Sequence, residues 1–314
     1  SLSQQNHQRF DRYDYDANSQ DSEKVSNVGY NVKAGGSVIV DESNKVYANA
    51  GVYSRQPFHD AIFNTYDNRV SPFTQNEDIL GLELGYSYAK NNFSANVNLY
   101  RTSWKNRVVS SSRVVDGVIE NTLNFGAEQL HQGIEIDFRT KMLNDKLTFK
   151  GFTSIGDWEY VGSTVRRVVD ENQVVLSESN NDVDGGKVGD AAQFTLGFGL
   201  DYAVTDNLSV DFDWRLYDGL YASVGAVKEN LELPTYDIAD LGISYRLFIG
   251  ENKDKNLDFR LNVNNLFYEV YLSDLRDNDE ASTIASENWK GINKSNRGMF
   301  GWGRTWNASV KYSF

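Results

Sequence analysis

Apolar and polar residues alternate with a period of two along most of this chain. From 28 to 40 the apolar face is Val28, Tyr30, Val32, Ala34, Val38 and Val40, with Asn31, Lys33 and Ser37 opposite. After Asp41-Glu-Ser-Asn-Lys45 the same kind of row continues as Val46, Ala48, Ala50 and Val52. Such alternation predicts strands with one apolar face, and the short polar break predicts a hairpin. The pattern recurs in pairs: Leu80 to Tyr88 with Phe93 to Leu99, Leu130 to Phe138 with Leu147 to Ile155, Phe194 to Tyr202 with Leu208 to Leu216, and Leu241 to Leu247 with Leu257 to Val263. Short turns join the members of each pair. Long polar stretches separate the pairs, at 54–78, 104–125, 160–190 and 271–297. Within the second of these, Asp116-Gly117 between valines predicts a further hairpin. Residues 1–27, with Asp11, Asp14, Asp16, Asp21 and Glu23, read as an exposed loop or a partial strand.

The last stretch decides which solvent the apolar faces meet. Phe300, Trp302, Trp306, Ala308, Val310, Tyr312 and Phe314 share one face, interrupted only by Arg304. A strand crossing a bilayer at about 45° needs roughly 9–11 residues and carries aromatic belts at both interfaces. Tyr312 and Phe314 fit one belt and Trp302 and Trp306 the other, with Arg304 at the rim. Short turns on one rim and long loops on the other are the organisation of an outer-membrane barrel. The predicted fold is therefore all-β, an antiparallel transmembrane β-barrel with about eleven to twelve strands in this chain. Its apolar rows, Phe198 and Leu261 among them, face lipid. The opposite phase faces the lumen and carries Glu83, Glu135, Asp137, Lys150, Asp211, Asp213, Arg215, Arg260 and Asn262.

Composition agrees with this solvent assignment. The mean hydropathy of −0.53 is that of a water-soluble protein, and no apolar run reaches the length of a spanning helix. Barrels escape that criterion because only every second residue meets lipid. The net charge of −13 argues against nucleic acid as a partner. Outer-membrane lipid and lipopolysaccharide are the expected surroundings. No secretory leader stands at Ser1, so a leader is expected to have been removed or to lie further upstream.

Catalytic signatures are weak, and neither an enzyme nor a cofactor is expected. His7, His59 and His131 are the only histidines, and none has a second donor at a zinc or nucleophile spacing. Asp14-Tyr-Asp-Ala-Asn18 opens like a calcium loop, but Ser19 stands where glycine is required. Asp182, Asp184 and Asp190, and the group Asp277, Asp279 and Glu280, are weaker calcium candidates in outer loops.

An eleven-stranded sheet would leave two unpaired edges in lipid, each orphaned backbone group costing several kcal/mol. Either residues 1–20 add a twelfth strand, or the chain is part of a larger barrel. Several stretches resemble the carboxy-terminal half of TonB-dependent receptors of the Bacteroidetes type. They are Val46-Tyr-Ala-Asn-Ala-Gly-Val-Tyr-Ser-Arg-Gln-Pro-Phe58, Leu82-Glu-Leu-Gly-Tyr86, Asn98-Leu-Tyr-Arg-Thr-Ser-Trp-Lys-Asn106, Gly133-Ile-Glu-Ile-Asp137, Gly189-Asp-Ala-Ala192 and Asn265-Leu-Phe267 with Tyr271.

The resemblance implies a 22-stranded barrel closed by a plug, of which 28–314 is the carboxy-terminal portion. It also implies import of a scarce nutrient, such as an iron chelate, a glycan or a peptide, with energy delivered through TonB. It places the plug and the TonB contact upstream of Ser1. Trp306, Val310, Tyr312 and Phe314 resemble the signal read by the outer-membrane assembly machinery. On this reading Arg55, His59, Glu83, Asp137, Asp213, Arg215, Arg260 and Trp289 are candidate ligand-binding residues of the loops and lumen. Two alternatives remain open from the residues alone: a smaller porin or outer-membrane enzyme of about twelve strands, and a soluble β-rich glycan-binding protein.

Overall fold

The structure, a computed structural model, describes residues 1–10, 21–63, 68, 70–71, 75–115, 118–170, 174–222, 225–250 and 254–314. The Asp14 to Asn18 segment and the Asp116-Gly117 turn lie outside these residues. In chain order the elements are β1 (Leu2–His7), β2 (Val25–Ile39), β3 (Asn44–Arg55), the single-turn α1 (His59–Ile62), β4 (Glu77–Lys90), β5 (Phe93–Val115), β6 (Val118–Met142), β7 (Leu147–Val161), β8 (Ser163–Val169), β9 (Val175–Asp182), β10 (Phe194–Ala203), β11 (Leu208–Asp218), β12 (Tyr236–Ile249), β13 (Lys255–Asn264), β14 (Leu272–Leu275), β15 (Asn288–Trp289), β16 (Ile292–Asn293), β17 (Gly298–Phe300) and β18 (Thr305–Ser313).

The main sheet has 14 strands, with β8 and β9 off its path. The path runs β1-β2-β3-β4-β5-β6-β7-β10-β11-β12-β13-β18, and every pairing along it is antiparallel. β1 and β18 stand at its two ends, so the sheet is an open segment of wall. Directly opposed residues share a face. Accordingly Leu84, Leu99, Ile134 and Ile155 form one outward row across four strands, and Ile243, Leu261 and Ala308 form another. The outward side chains are not packed against a second sheet: Val32, Leu84, Leu261 and Val310 remain open to the surroundings. That exposure suits hydrocarbon and is untenable in water, which speaks against the soluble β-rich alternative.

One rim carries the short turns. Asp41 Oδ1 accepts from Ser43 N at 2.8 Å, and Thr205 Oγ1 accepts from Leu208 N at 3.0 Å. Asn91, Leu143, Asn144 and Asp145 take left-handed backbone there, the conformation tight turns require. The other rim carries the long connections, which fold into structure of their own. β5 and β6 pair as far as Val115↔Val118, well beyond a membrane's depth.

Of the readings left open for the start of the chain, the added strand is the one that forms: Leu2–His7 pairs with β2 as the twelfth strand of the path. Its outward positions, Leu2, Gln4 and Asn6, carry a single apolar residue, so alternation alone did not choose between the readings. Two expectations from sequence are corrected. The 160–190 stretch is not a loop: β8 and β9 form a hairpin joined to the β6 extension. The terminal strand starts at Thr305, not Phe300, because Gly298–Phe300 pairs instead with β14 in the outer loop.

The compact apolar packing lies in these outer loops. Leu220, Ala222, Leu233, Leu272, Leu275 and Ile292 form one buried cluster, and Ala127, Tyr160, Val183 and Ala226 another. The wall itself is held by its ladder of backbone hydrogen bonds, as a sheet immersed in lipid must be.

Candidate functional site

Because the residues facing lipid are apolar, the polar side chains of the wall collect on the luminal face, where they bond across strands. Asn49 Nδ2 donates to Glu83 at 3.0 Å, Asn96 Nδ2 to Asp137 at 3.0 Å and Asn98 Nδ2 to Glu135 at 3.4 Å. Farther round, Lys150 lies 3.1 Å from Asp213 and 3.8 Å from Asp201. Arg215 pairs with Asp240. Arg260 donates to both oxygens of Asp211, and its Nη1 also donates to Ser244 Oγ at 2.9 Å. The luminal candidates Glu83, Asp137, Asp213, Arg215 and Arg260 are thus all partnered, spread along one wall rather than gathered at one point.

Toward the long-loop rim the chemistry becomes aromatic and cationic. Arg55, at the end of β3, lies 2.7 Å from Glu77, with its guanidinium 4.9 Å from the Phe58 ring and 5.3 Å from the Trp104 ring. A register shift beyond Trp104 and the left-handed Asn106 bring Arg107 onto the same indole, also at 5.3 Å. Two guanidiniums and one carboxylate therefore meet on Trp104, leaving excess positive charge at a half-buried place. The Nε–H groups of Arg55 and Arg107 have no hydrogen-bond acceptor among the described residues. Below them a trough of about 680 Å³ is floored by Gly51 and Gly81 and lined by Lys33, Tyr53, Ile79, Glu83, Thr102 and Trp104.

Farther along the long-loop rim Tyr217, Tyr236 and Tyr271 stack in sequence, with ring centroids 5.0 and 4.2 Å apart. Trp289 sits in the outer loop instead, edge-on to Phe300 at 5.1 Å and packed on the buried loop cluster. His59 opens α1, 4.9 Å from Phe63 and 5.7 Å from His7. Sequence reasoning missed Glu77, Trp104 and Arg107. The available signal was an indole on the polar phase of β5.

Of the acidic outer-loop candidates, Asp182, Asp184, Asp277 and Asp279 accept from protein donors. Lys228 Nζ donates to Asp182 at 2.6 Å and holds that carboxyl below the usual range, while Asp184 Oδ1 accepts from Gly162 N at 2.9 Å. Asp190 takes left-handed backbone, its N donating to Tyr221 O at 3.2 Å. Asp277 accepts Arg297 Nε and Nη2 at 2.9 Å each, and Asp279 accepts Ser295 Oγ at 3.2 Å. Among the described residues no group of three or more His, Cys, Asp or Glu is arranged to hold a metal.

Comparison with known proteins agrees with this architecture. No match was found among curated protein sequences. Among solved structures, the ferric-catecholate import receptor Fiu of E. coli K12 superimposes with a TM-score of 0.60 at 20% identity, over 93% of this chain and 36% of that one. The copper transporter OprC gives 0.67 at 14% identity, over 100% and 44%. The ferric yersiniabactin uptake receptor FyuA of Yersinia pestis gives 0.62 at 14% identity, over 94% and 39%. This chain therefore spans less than half the length of each of these structures, and at such identities the likeness is one of fold. A family model described as TonB dependent receptor-like, beta-barrel, matches residues 8–266, most of the sequence. With an antiparallel wall, lipid-facing apolar rows and a polar lumen already in place, that match identifies the chain as a member of the TonB-dependent receptor β-barrel family, whose barrels lie in the outer membrane.

Proposed function

We propose that this chain is the carboxy-terminal part of a 22-stranded receptor barrel of the Bacteroidetes type that imports a scarce nutrient with energy delivered through TonB. The observation that carries this reading is the open twelve-strand path, whose end strands β1 and β18 need further strands to satisfy their backbone groups in lipid. The shares covered of Fiu and FyuA, 36% and 39%, are in keeping with a barrel completed by other strands. The plug then belongs to the same receptor, the TonB complex is the partner it engages, and lipopolysaccharide and the assembly machinery are its further partners.

The ligand enters at the long-loop rim. Arg55, Arg107 and Trp104 with the trough beneath them suit an anionic, partly apolar cargo such as a metal chelate; glycans and peptides remain the other candidate cargoes. His59 lies at the same entry and Trp289 is a further candidate contact in the outer loop, while Glu83, Asp137, Asp213, Arg215 and Arg260 contact plug or cargo lower in the lumen. The test is TonB-dependent uptake by cells carrying the full receptor, with ligand binding measured on the purified protein. Replacing Arg55 and Arg107 together by Ala should weaken binding at least tenfold, about 1.4 kcal/mol. Uptake independent of TonB, or unchanged affinity in the double variant, would contradict the proposal.

A further inference from the structure

His131 is spent on packing: its ring stacks on Trp158 at 5.3 Å and 13°. The other two histidines, far apart in the sequence, meet at the rim where cargo would enter. His7 ends β1 opposite Val25, on the luminal phase it shares with Ser3 and Gln5. His59 is the first residue of α1, fixed by the contact of its ring with Phe63 at 4.9 Å. The two imidazole centroids are 5.7 Å apart and inclined at 41°.

That separation falls within the range two imidazoles take on one metal ion. With metal–nitrogen bonds of about 2.0–2.1 Å, two imidazoles on one ion place their ring centres roughly 5–6.5 Å apart, depending on the angle at the metal. A further contact supports the arrangement. Gln5 Oε1 lies 3.3 Å from His7 Nε2. An Nε2–H donated to that oxygen leaves Nδ1 with its lone pair, and this is how a second residue commonly fixes the tautomer of a ligating histidine.

We infer that His7 and His59 form a two-imidazole site for a divalent transition-metal ion of the imidazole-preferring class, copper, nickel or zinc. Water or the cargo's own donor atoms fill the remaining positions, since among the described residues no third His, Cys, Asp or Glu joins the pair. Two protein donors hold such an ion reversibly, as passage inward requires. The inference deepens the proposed function and rests on the reading of this rim as the entry for cargo.

The probe is Cu²⁺ titrated into the full receptor purified in detergent, with binding followed by calorimetry and the ligand nitrogens by electron paramagnetic resonance. One ion per receptor with couplings from two imidazoles is expected. His59→Phe and His7→Phe keep a ring at each position and should each abolish the two-imidazole signal. Gln5→Ala should weaken binding about 10–100-fold. His131→Phe should bind as the parent does. Heat-modifiable migration reports that each variant is folded. Equal copper affinity in the folded His7→Phe, His59→Phe double variant, or a spectrum without imidazole couplings, would overturn the site. Absence of TonB-dependent uptake in a receptor that still shows the two-imidazole spectrum would instead refute the import reading and leave the site standing.

Discussion

Arg260 on β13 reaches over the intervening strand to Asp211 on β11, and it can do so because Gly242 on β12 lies between them. Gly242 is opposite Asp211 on one side and Asn262 on the other, and a Cβ there would fall onto both the guanidinium and the carboxylate. The same device operates at Gly199, which stands directly between Lys150 and Asp213. A side chain omitted from the middle strand lets its neighbours form an ion pair across it.

Gly242→Ala is therefore expected to push Arg260 and Asp211 apart and destabilise the wall by about 1–3 kcal/mol, the cost of leaving charged groups without their bonds. Gly36→Ala is the matched control, since a Cβ there meets nothing within 4 Å. Thermal unfolding of the two variants of the receptor, followed by heat-modifiable migration, separates them. Equal loss would show that glycine is needed only for backbone reasons.

The lipid-facing phase makes a second prediction. Phe198→Arg and Leu261→Arg place a charge in hydrocarbon and should cost about 2–4 kcal/mol near the midplane, or block assembly. Asn262→Arg faces the lumen, where Asn262 Nδ2 donates to Asn307 at 2.8 Å, and should cost about 1 kcal/mol for the lost bond. The amount of folded receptor recovered from outer membranes is the readout. Similar recovery from all three would refute the assigned faces.

The carboxy-terminal ring supports a third. Phe314 is largely exposed and stacks on Tyr312 at 5.7 Å, so it contributes little to the packing of the folded wall. Phe314→Ala should leave the unfolding temperature of assembled receptor nearly unchanged while lowering the amount assembled. If instead stability falls and assembly does not, the residue is structural and not a recognition signal.

Acid should loosen the last outer loop. Arg297 beside Asp277 holds that carboxyl below the usual carboxylate range, against the opposing effect of partial burial. A carboxyl with a depressed value in the folded state stabilises fully above its unfolded value of about 3.9, and that contribution disappears as the pH falls through the folded value. Proteolysis or amide exchange over 276–297 should accordingly increase only below about pH 4. Asp277→Asn should show the increase already at neutral pH, with little further change on acidification.

What the sequence determined by itself was the wall. Period-two rows and the sorting of short turns from long loops are local patterns, and most strands of the path show their lipid face without knowledge of their neighbours. The luminal phase of Glu83, Asp137, Asp213, Arg215 and Arg260 followed from the same alternation. β1 stayed one of two readings because Gln4 and Asn6 take outward positions, and β8 with β9 escaped notice because Ser177, Glu178, Ser179 and Asn180 outside the membrane need no apolar face. Only the tertiary structure decided which strand lies beside which. With that came the choice of Gly242 as the gap for Arg260, the meeting of Arg55 and Arg107 on Trp104, and the approach of His7 to His59. These contacts depend on pairing register between distant segments, and register is set by the whole ladder of backbone bonds, which no single stretch of residues encodes.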